Sequence, residues 1–335
     1  MKNEVALTNT NREPVYFIEP TNTCNLQCAM CPTNREMKRE KGFMPFDLFT
    51  AIVEDILRYE APRKCYLNLW GWGEPLLHPD IFDMSAFAAD KGCKVRISTN
   101  LEPLKPASID NLLTCGIATL FIALDGMSDS THGAYRVRGN VKSVLSLIKT
   151  VCSRRCALGI GPNIPHLVVT TLLTKQAESD LDLIEDFCRS VGVDALVLKY
   201  PNLWRSNKSA KDSKELYQRF LEGSKCAGRY RHDGLSTELA SFEGACPFTR
   251  KNGVVLWNGD VVPCCFDHDA LCSIDRITER KSYFDLLSGQ EWGHFQDRME
   301  KKRFPICASC DSCGPRREVV IFNESLVSDD VLEFS

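Results

Sequence analysis

The chain lacks several features that would place it in a large class of proteins. No apolar run in its 335 residues approaches the roughly 20 residues that cross a bilayer. The net charge of −3 provides no broad basic surface for nucleic acid or for a membrane. The first fourteen residues are polar and lack the apolar core of a signal peptide. These absences predict a globular, cytoplasmic protein with neither a nucleic-acid nor a membrane partner.

Cysteine, by contrast, is abundant. The chain has 17 cysteines, an odd number, and without a secretion signal such cysteines are more often metal ligands than disulfide partners. Five of them are scattered through apolar or helical surroundings and are predicted to be small buried hydrophobic residues. These five are Cys65, Cys93, Cys115, Cys152 and Cys188.

Short apolar runs alternate with helical patterns from residue 15 to about residue 200. The predicted strands are 15–19, 65–70, 95–99, 119–124, 167–173 and 195–200. The predicted helices are 46–57, 81–91, 109–115, 141–151 and 179–191. Six β–α units in series predict an α/β fold in which a parallel sheet curls into a partial (βα)6 barrel. Active sites on such scaffolds lie at the carboxyl ends of the strands.

The sequence changes character after residue 204. A polar stretch at 205–219 precedes a predicted hairpin at 253–264, whose Asn258-Gly259 pair is a strong turn signal, and helices at 284–287 and 290–301. The chain is therefore divided into an N-terminal extension, a barrel domain, a small cysteine-rich α+β domain and an acidic tail. The predicted bounds of these four segments are 1–14, 15–204, 205–320 and 321–335.

Three cysteines directly follow the first predicted strand. Cys24, Cys28 and Cys31 have the spacing C-x3-C-x2-C. Three thiolates can bind three irons of a 4Fe-4S cluster and leave the fourth iron open for chemistry. A structural zinc site is the alternative, but it usually requires a fourth ligand. The first 64 residues contain no other cysteine and no histidine.

Glycine-rich and polar motifs follow the next three strands. They are Gly-Trp-Gly-Glu-Pro at 71–75, Ser98 with Asn100, and Asp125 followed by Arg-Val-Arg-Gly at 136–139. Glycines permit close approach of the backbone, and side chains at strand ends can donate hydrogen bonds. A glycine-rich turn and a helix cap are the alternatives for the first two motifs.

Together with the three cysteines, these motifs resemble the radical S-adenosylmethionine (SAM) superfamily. The resemblance implies a cluster held by Cys24, Cys28 and Cys31, with SAM bound at its open iron. It also implies reductive cleavage of SAM to a 5′-deoxyadenosyl radical, which abstracts a hydrogen atom from the substrate, and an electron donor such as flavodoxin or ferredoxin. The implied cofactor-binding residues are Gly71, Gly73, Glu74, Pro75, Ser98 and Asn100.

A second cysteine set occupies the C-terminal region. The spacing Cys246-x12-Gly259-x4-Cys264, followed by Cys307, Cys310 and Cys313, resembles the SPASM/twitch extension of the superfamily. The resemblance implies one auxiliary 4Fe-4S cluster. Its expected ligands are Cys246, Cys264, Cys307 and Cys310, while Cys226, Cys265, Cys272 and Cys313 remain unassigned. Two auxiliary clusters and a zinc ribbon are the alternatives.

The twitch branch includes an aminocyclitol dehydrogenase of butirosin biosynthesis. The resemblance therefore implies oxidation of a small polar substrate, a sugar or aminocyclitol of the kind used in antibiotic biosynthesis, with the auxiliary cluster accepting an electron. Because the first strand starts near Val15, we expect no N-terminal peptide-recognition domain, which favours a small substrate over peptide maturation. An epimerase that uses a free thiol such as Cys265 and a non-catalytic metal protein are two further hypotheses.

Residues at or after strand ends are the candidates for contacts with substrate. Tyr135, Arg136, Arg138 and Trp204 are the candidate catalytic residues, and Lys199, Asp267 and His268 are further candidates for the pocket.

Overall fold

The computed structural model describes residues 13–61, 64–159, 165–203, 210–232, 237–239, 253–301, 303–307 and 317–322. Its strands are β1 (Val15–Ile18), β2 (Tyr66–Leu69), β3 (Lys94–Thr99), β4 (Ile117–Ala123), β5 (His166–Leu172), β6 (Ala195–Lys199), β7 (Tyr230–His232), β8 (Thr237–Leu239), β9 (Val254–Val255), β10 (Asp260–Val262), β11 (Asp275–Arg276) and β12 (Arg317–Ile321). Strands β1 to β6 are parallel neighbours in chain order. The predicted partial (βα)6 barrel is therefore confirmed, with each predicted strand end correct to within two residues.

Helices that follow the parallel strands share the main core with them. The α-helices of the described residues are α1 (Phe46–Glu60), α2 (Ile81–Asp90), α3 (Ile109–Thr114), α4 (His132–Tyr135), α5 (Val141–Ala157), α6 (Lys175–Glu178), α7 (Leu181–Val191), α8 (Ala210–Phe220), α9 (Tyr283–Ser288) and α10 (Gln290–Glu300). No helix within the described ranges has both the length and the apolar composition needed to cross a bilayer. The helix predicted at 141–151 extends to residue 157, where Arg155 is buried.

Successive strand side chains point to opposite faces of the sheet. Leu67 and Leu69 of β2 face the helices and join the main core, whereas Tyr66 joins Val15 and Phe17 in a smaller cluster on the other face. Both faces are covered, which agrees with the nearly continuous apolar composition of these strands. Four of the five scattered cysteines are buried as predicted, and Cys115 is half-buried.

The C-terminal region extends the barrel sheet at both edges. Strand β9 lies parallel to β1, and it forms a hairpin with β10 in which Gly259 has a φ of 87°. The Asn-Gly signal therefore predicted this turn correctly. Strand β12 lies antiparallel to β6 and was not predicted from the sequence. It ends at Ile321, so the ordered strand reaches into the segment that the sequence assigned to the acidic tail.

Candidate functional site

A cavity lies at the carboxyl ends of the six parallel strands. It is lined by side chains or backbone from every one of the loops and strand ends that follow β1 to β6. The lining residues are Cys24, Cys28, Cys31, Trp70, Gly71, Trp72, Gly73, Glu74, Ser98, Thr99, Asn100, Ala123, Asp125, Tyr135, Arg136, Thr170, Leu172 and Lys199. The structure thus brings the three cysteines together with the motifs that the sequence placed after the second, third and fourth strands.

The cysteine loop is held in place by the segment that follows β4. The backbone N–H of Gln27 donates to Val137 O at 3.0 Å, and the N–H of Ala29 donates to Tyr135 O at 2.9 Å. Within the loop, Cys31 N donates to Cys28 O at 3.1 Å. Residues more than 100 positions apart in the sequence therefore form one wall of the cavity.

The three thiols fit an iron–sulfur cluster by their environment. Burial raises the pKa of Cys24 to about 12 and that of Cys28 to about 11, so both stay protonated unless a strong cation compensates for lost hydration. Cluster iron supplies that charge and takes thiolate ligands. Arg136 assists at Cys28, where its Nη1 lies 3.8 Å from the sulfur. In the described parts of the chain, no group of three or more His, Cys, Asp or Glu is arranged to hold a single metal ion.

The two glycines of the motif at 71–75 are required by the neighbouring loop. A Cβ on Gly73 would lie 2.1 Å from Thr21 O, and a Cβ on Gly71 would lie 2.6 Å from Glu19 Oε2. Real Cβ atoms do not approach other atoms this closely. The glycines therefore let the loop after β2 pack directly on the loop after β1, which carries the cysteines.

Glu74 is fully enclosed and binds the end of β3. Its Oε1 accepts from Thr99 Oγ1 at 2.5 Å and from Leu76 N at 3.1 Å, and its Oε2 accepts from Asn100 N at 2.7 Å. Burial raises the pKa of this carboxyl group, and these hydrogen bonds oppose the rise. Both oxygens are thus used to join two loops, which makes Glu74 a positioning residue for the cavity wall.

Ser98 and Asn100, which the sequence predicted as cofactor contacts, both line the cavity. Ser98 is half-buried at the end of β3. The side-chain amide of Asn100 donates to Asn25 Oδ1 at 2.9 Å, inside the cysteine loop. Asn100 therefore connects the end of β3 to the residue next to Cys24, an arrangement that the sequence did not reveal.

Of the two arginines predicted after β4, only one reaches the cavity. Arg136 Nε donates to the buried Asp125 at 2.6 Å, and the Asp125 backbone N–H donates to His132 Nδ1 at 3.1 Å. Arg138 is exposed, has a φ of 74° and lies outside the lining. Tyr135 lines the cavity and packs edge-on against Phe220.

The remaining pocket candidates lie in different places. Lys199, at the end of β6, lines the cavity. Asp267 and His268 are buried and do not line the cavity: Asp267 accepts from the backbone of Leu271 and Cys272 and closes a turn. Trp204 lies outside the described residues. The sequence-based reasoning missed Trp70, which directly follows β2, and Thr170, which lies within β5.

Arg39 forms a buried ion pair that the sequence did not predict, and it also connects the segment after β1 to the C-terminal region. Arg39 binds both carboxylate oxygens of Glu19, at 2.9 and 3.0 Å, and Glu19 is 0% exposed. Arg39 Nε also donates to His268 O, in the segment that follows the hairpin, and His268 packs edge-on against Trp72. The C-terminal region therefore contacts the cavity wall directly.

The second cysteine set is described only in part. Cys264 and Cys307 are half-buried, whereas Cys246, Cys310 and Cys313 lie outside the described residues. Of the unassigned cysteines, Cys265 and Cys272 are half-buried and Cys226 belongs to the main core. Burial, followed by the negative charge of Asp267, raises the pKa of the Cys272 thiol. A hydrogen bond from the backbone N–H of Ile306 lowers this pKa. Cys272 therefore lies beside the residue that precedes Cys307.

Comparisons with known proteins agree with this arrangement. The family model of the Radical SAM superfamily matches residues 18–187, and the model of SPASM, an iron-sulfur cluster-binding domain, matches residues 246–314. A tungsten-containing aldehyde ferredoxin oxidoreductase cofactor-modifying protein of Pyrococcus furiosus is 24% identical over 325 residues, which cover 89% of this chain and 88% of the relative.

Two solved structures share the fold at low sequence identity. The crystal structure of BtrN in complex with AdoMet and 2-DOIA has a TM-score of 0.53 and 15% identity, and the match covers 97% of this chain and 98% of BtrN. Streptococcus suis SuiB bound to the precursor peptide SuiA has a TM-score of 0.60 and 14% identity, with 90% of this chain and 72% of SuiB covered.

Proposed function

Because the chain belongs to the radical SAM superfamily and carries a SPASM domain, we propose that it oxidises a small polar substrate by hydrogen-atom abstraction. The superfamily's cofactors are a 4Fe-4S cluster and SAM, and the SPASM domain adds auxiliary iron–sulfur clusters. When bound, the cluster and SAM together supply a 5′-deoxyadenosyl radical. The observation that carries the proposal is the cavity at the carboxyl ends of the six strands, which brings the three cysteines together with charged and hydroxyl-bearing side chains.

The proposed work of the chain is to hold and orient these groups. Cys24, Cys28 and Cys31 are the proposed ligands of the cluster that binds SAM. The backbone at 71–75, with Ser98 and Asn100, is the proposed contact surface for SAM. Glu74 and Asn100 keep these loops in register with the cysteine loop through their hydrogen bonds, and preorganisation of this kind supports catalysis.

The proposed substrate wall lies at the ends of β5 and β6. Thr170 and Lys199 offer a hydroxyl and an ammonium to a polar substrate, and Leu172 and Trp70 exclude water beside them. Tyr135 and Arg136 complete the wall beside the cysteine loop. A sugar or aminocyclitol, rich in hydroxyl and amino groups, suits such a lining.

The auxiliary cluster is the proposed acceptor of the electron released as the substrate is oxidised. Its proposed ligands are Cys246, Cys264, Cys307 and Cys310, and Cys272 is an additional candidate from its position next to residue 306. With two clusters of four irons each, the loaded chain would contain about eight irons, and a second auxiliary cluster would raise the number to about twelve.

Peptide modification is the second candidate function. It is favoured by the fold shared with SuiB, whose structure holds a precursor peptide. Epimerisation is a third candidate, since Cys265 and the cavity residue Trp70 pack against the same small core cluster, which contains Val15, Phe17 and Tyr66.

The cofactor assignment is tested by anaerobic reconstitution with iron and sulfide. We expect a variant with Cys24, Cys28 and Cys31 replaced by Ala to lose 5′-deoxyadenosine formation, because no ligands remain for the SAM-binding cluster. It should lose about four irons and keep those of the C-terminal region. The matched control is the exposed Cys156→Ala, which should behave as the parent. Continued formation of 5′-deoxyadenosine by the triple variant would show that the ligand assignment is wrong.

The proposed reaction is tested by product mass with sugars, aminocyclitols and short peptides supplied to the loaded enzyme. Dehydrogenation removes two hydrogens, so a loss of about two mass units in a small substrate supports the proposal. An unchanged mass with inverted stereochemistry indicates an epimerase. Turnover of peptides alone would replace the proposed function by the second candidate.

A further inference from the structure

One lysine side chain spans the two ends of the cysteine loop. Lys41 Nζ donates to Asn22 O at 2.9 Å and to Thr33 O at 2.5 Å. Asn22 precedes the first of the three cysteines and Thr33 follows the last. A single ammonium group therefore closes the loop that carries all three thiols.

The backbone on both sides of this contact is also fixed. The side chain of Asn22 donates to Glu40 O at 2.8 Å and accepts from Gly42 N at 3.0 Å, which holds the segment around Lys41 against the loop. Asn34 donates to Cys24 O at 3.0 Å from the other end of the loop. These contacts hold the ammonium group of the exposed Lys41 against the loop.

The same ammonium group lies within electrostatic reach of the thiols. Burial lowers the pKa of Lys41, and the positive charge of Arg39 lowers it further. The nearby groups Cys31, Glu19 and Cys24 raise the pKa of Lys41. Lys41 is itself exposed, so water screens part of its charge, but two hydrogen bonds keep its ammonium group against the loop that carries the thiols. A full positive charge at this position would therefore act on any anionic group bound by the three cysteines.

We propose that Lys41 is a positioning residue of the three-cysteine site, which ties the two ends of the loop together and raises the reduction potential of the cluster bound there. The inference rests on the ligand assignment proposed above. Reduction by a one-electron donor adds one negative charge to the cluster, and no proton or bond changes at Lys41. A nearby cation stabilises the more negative, reduced state.

The test is a redox titration of the reconstituted protein followed by electron paramagnetic resonance, with the signal that changes on addition of SAM used to identify the relevant cluster. Lys41→Gln keeps N–H donors but removes the charge. We expect its ratio of reduced to oxidised cluster to fall about tenfold at a fixed potential, which corresponds to a shift of about 59 mV for one electron. Lys41→Arg should keep the potential of the parent.

A charge removed elsewhere provides the control. Lys91 is exposed on the helix side and pairs with Glu54, so Lys91→Gln should leave the potential unchanged. A parental potential in Lys41→Gln, with the cluster loaded, would overturn the inference and leave the ligand assignment intact. Failure of both Lys41 variants to retain iron while folded would also overturn it, since the charge-conserving variant should rescue. If the triple cysteine variant kept the SAM-sensitive signal, the ligand assignment itself would fail.

Discussion

The two ends of the barrel use buried polar side chains in different ways. At the carboxyl ends of the strands, Glu74 and Asn100 hydrogen-bond to loops that also carry the cysteines and the glycine motif. At the amino ends, Arg155 pairs with Asp194 at 2.5 Å and donates to Pro165 O and Gly192 O. The first set positions a cavity wall, whereas the second joins α5 to the starts of β5 and β6.

This difference shows that burial of a charge does not by itself mark a functional site. Asp194 and Glu74 are both almost inaccessible to solvent, and both accept a backbone N–H near a strand end. Only Glu74 lies at the end of the barrel where parallel strands direct their loops toward a common cavity. A buried charge at the carboxyl ends of the strands therefore positions the site, whereas a buried charge at the amino ends stabilises the fold.

The largest expected effect on stability is at the amino end. Arg155→Met leaves Asp194 buried without its ionic partner, and breaking a buried pair in this way destabilises proteins by about 3–5 kcal/mol. Denaturant unfolding measures the loss. The matched control is the neighbouring Arg154→Met, which breaks the exposed pair with Asp110 and should change stability by less than about 1 kcal/mol. At low temperature the folded Arg155 variant should still form 5′-deoxyadenosine. If it does not, the proposed division between the two ends is wrong.

A smaller effect is expected from His132 at the carboxyl end, and it should depend on pH. Burial lowers the pKa of His132 to about 4, while the nearby Asp125 opposes the shift, and its Nδ1 can accept from Asp125 N only when the ring is neutral. Between pH 6.5 and 4 the unfolded chain binds a proton that the folded chain does not. Stability should therefore fall as the pH decreases through this range, by about 3 kcal/mol in total.

His132→Asn tests the origin of that pH dependence in the protein without its clusters. Asparagine keeps an acceptor oxygen near the position of Nδ1 but does not titrate. The variant should lose most of the difference in stability between pH 6.5 and pH 4.5. The exposed His294→Asn is the control and should retain it. If stability depended on pH in the same way in both variants, groups other than His132 would cause the acid sensitivity.

The sequence was sufficient to predict the six parallel strands of the barrel and the strand ends that carry most of the polar motif residues. Each buried strand is a compact apolar run, and the motif residues come directly after these runs, so local pattern was enough. Partners across the fold were not predictable in this way. The pairing of Glu74 with Thr99 and Asn100, and that of Arg155 with Asp194, depend on contacts between distant segments that no local period encodes.

Two details show where the motif-based reasoning reached its limit. Arg136 and Arg138 were equal candidates in the sequence, but only Arg136 lines the cavity, whereas Arg138 has a positive φ and is exposed. Strand β12 was missed because only three of its residues, Val319 to Ile321, are apolar, and the strand is paired with the edge of β6. Backbone direction and edge pairing are tertiary properties, so they appear only in the folded chain.

The smallest expected loss of stability, with the sharpest effect on chemistry, is at Gly73. Alanine there would place its Cβ against Thr21 O, so the loop must shift, at about 1–3 kcal/mol for an overpacked site. Because that loop is the proposed SAM contact, a shift of about 1 Å should slow 5′-deoxyadenosine formation about a hundredfold. Gly293→Ala, on α10 with open space around it, is the control and should slow nothing. A Gly73 variant that lost stability but kept the parental rate would mean that the tight packing of the two loops serves the fold alone. The carboxyl end of the barrel would then resemble the amino end at this position.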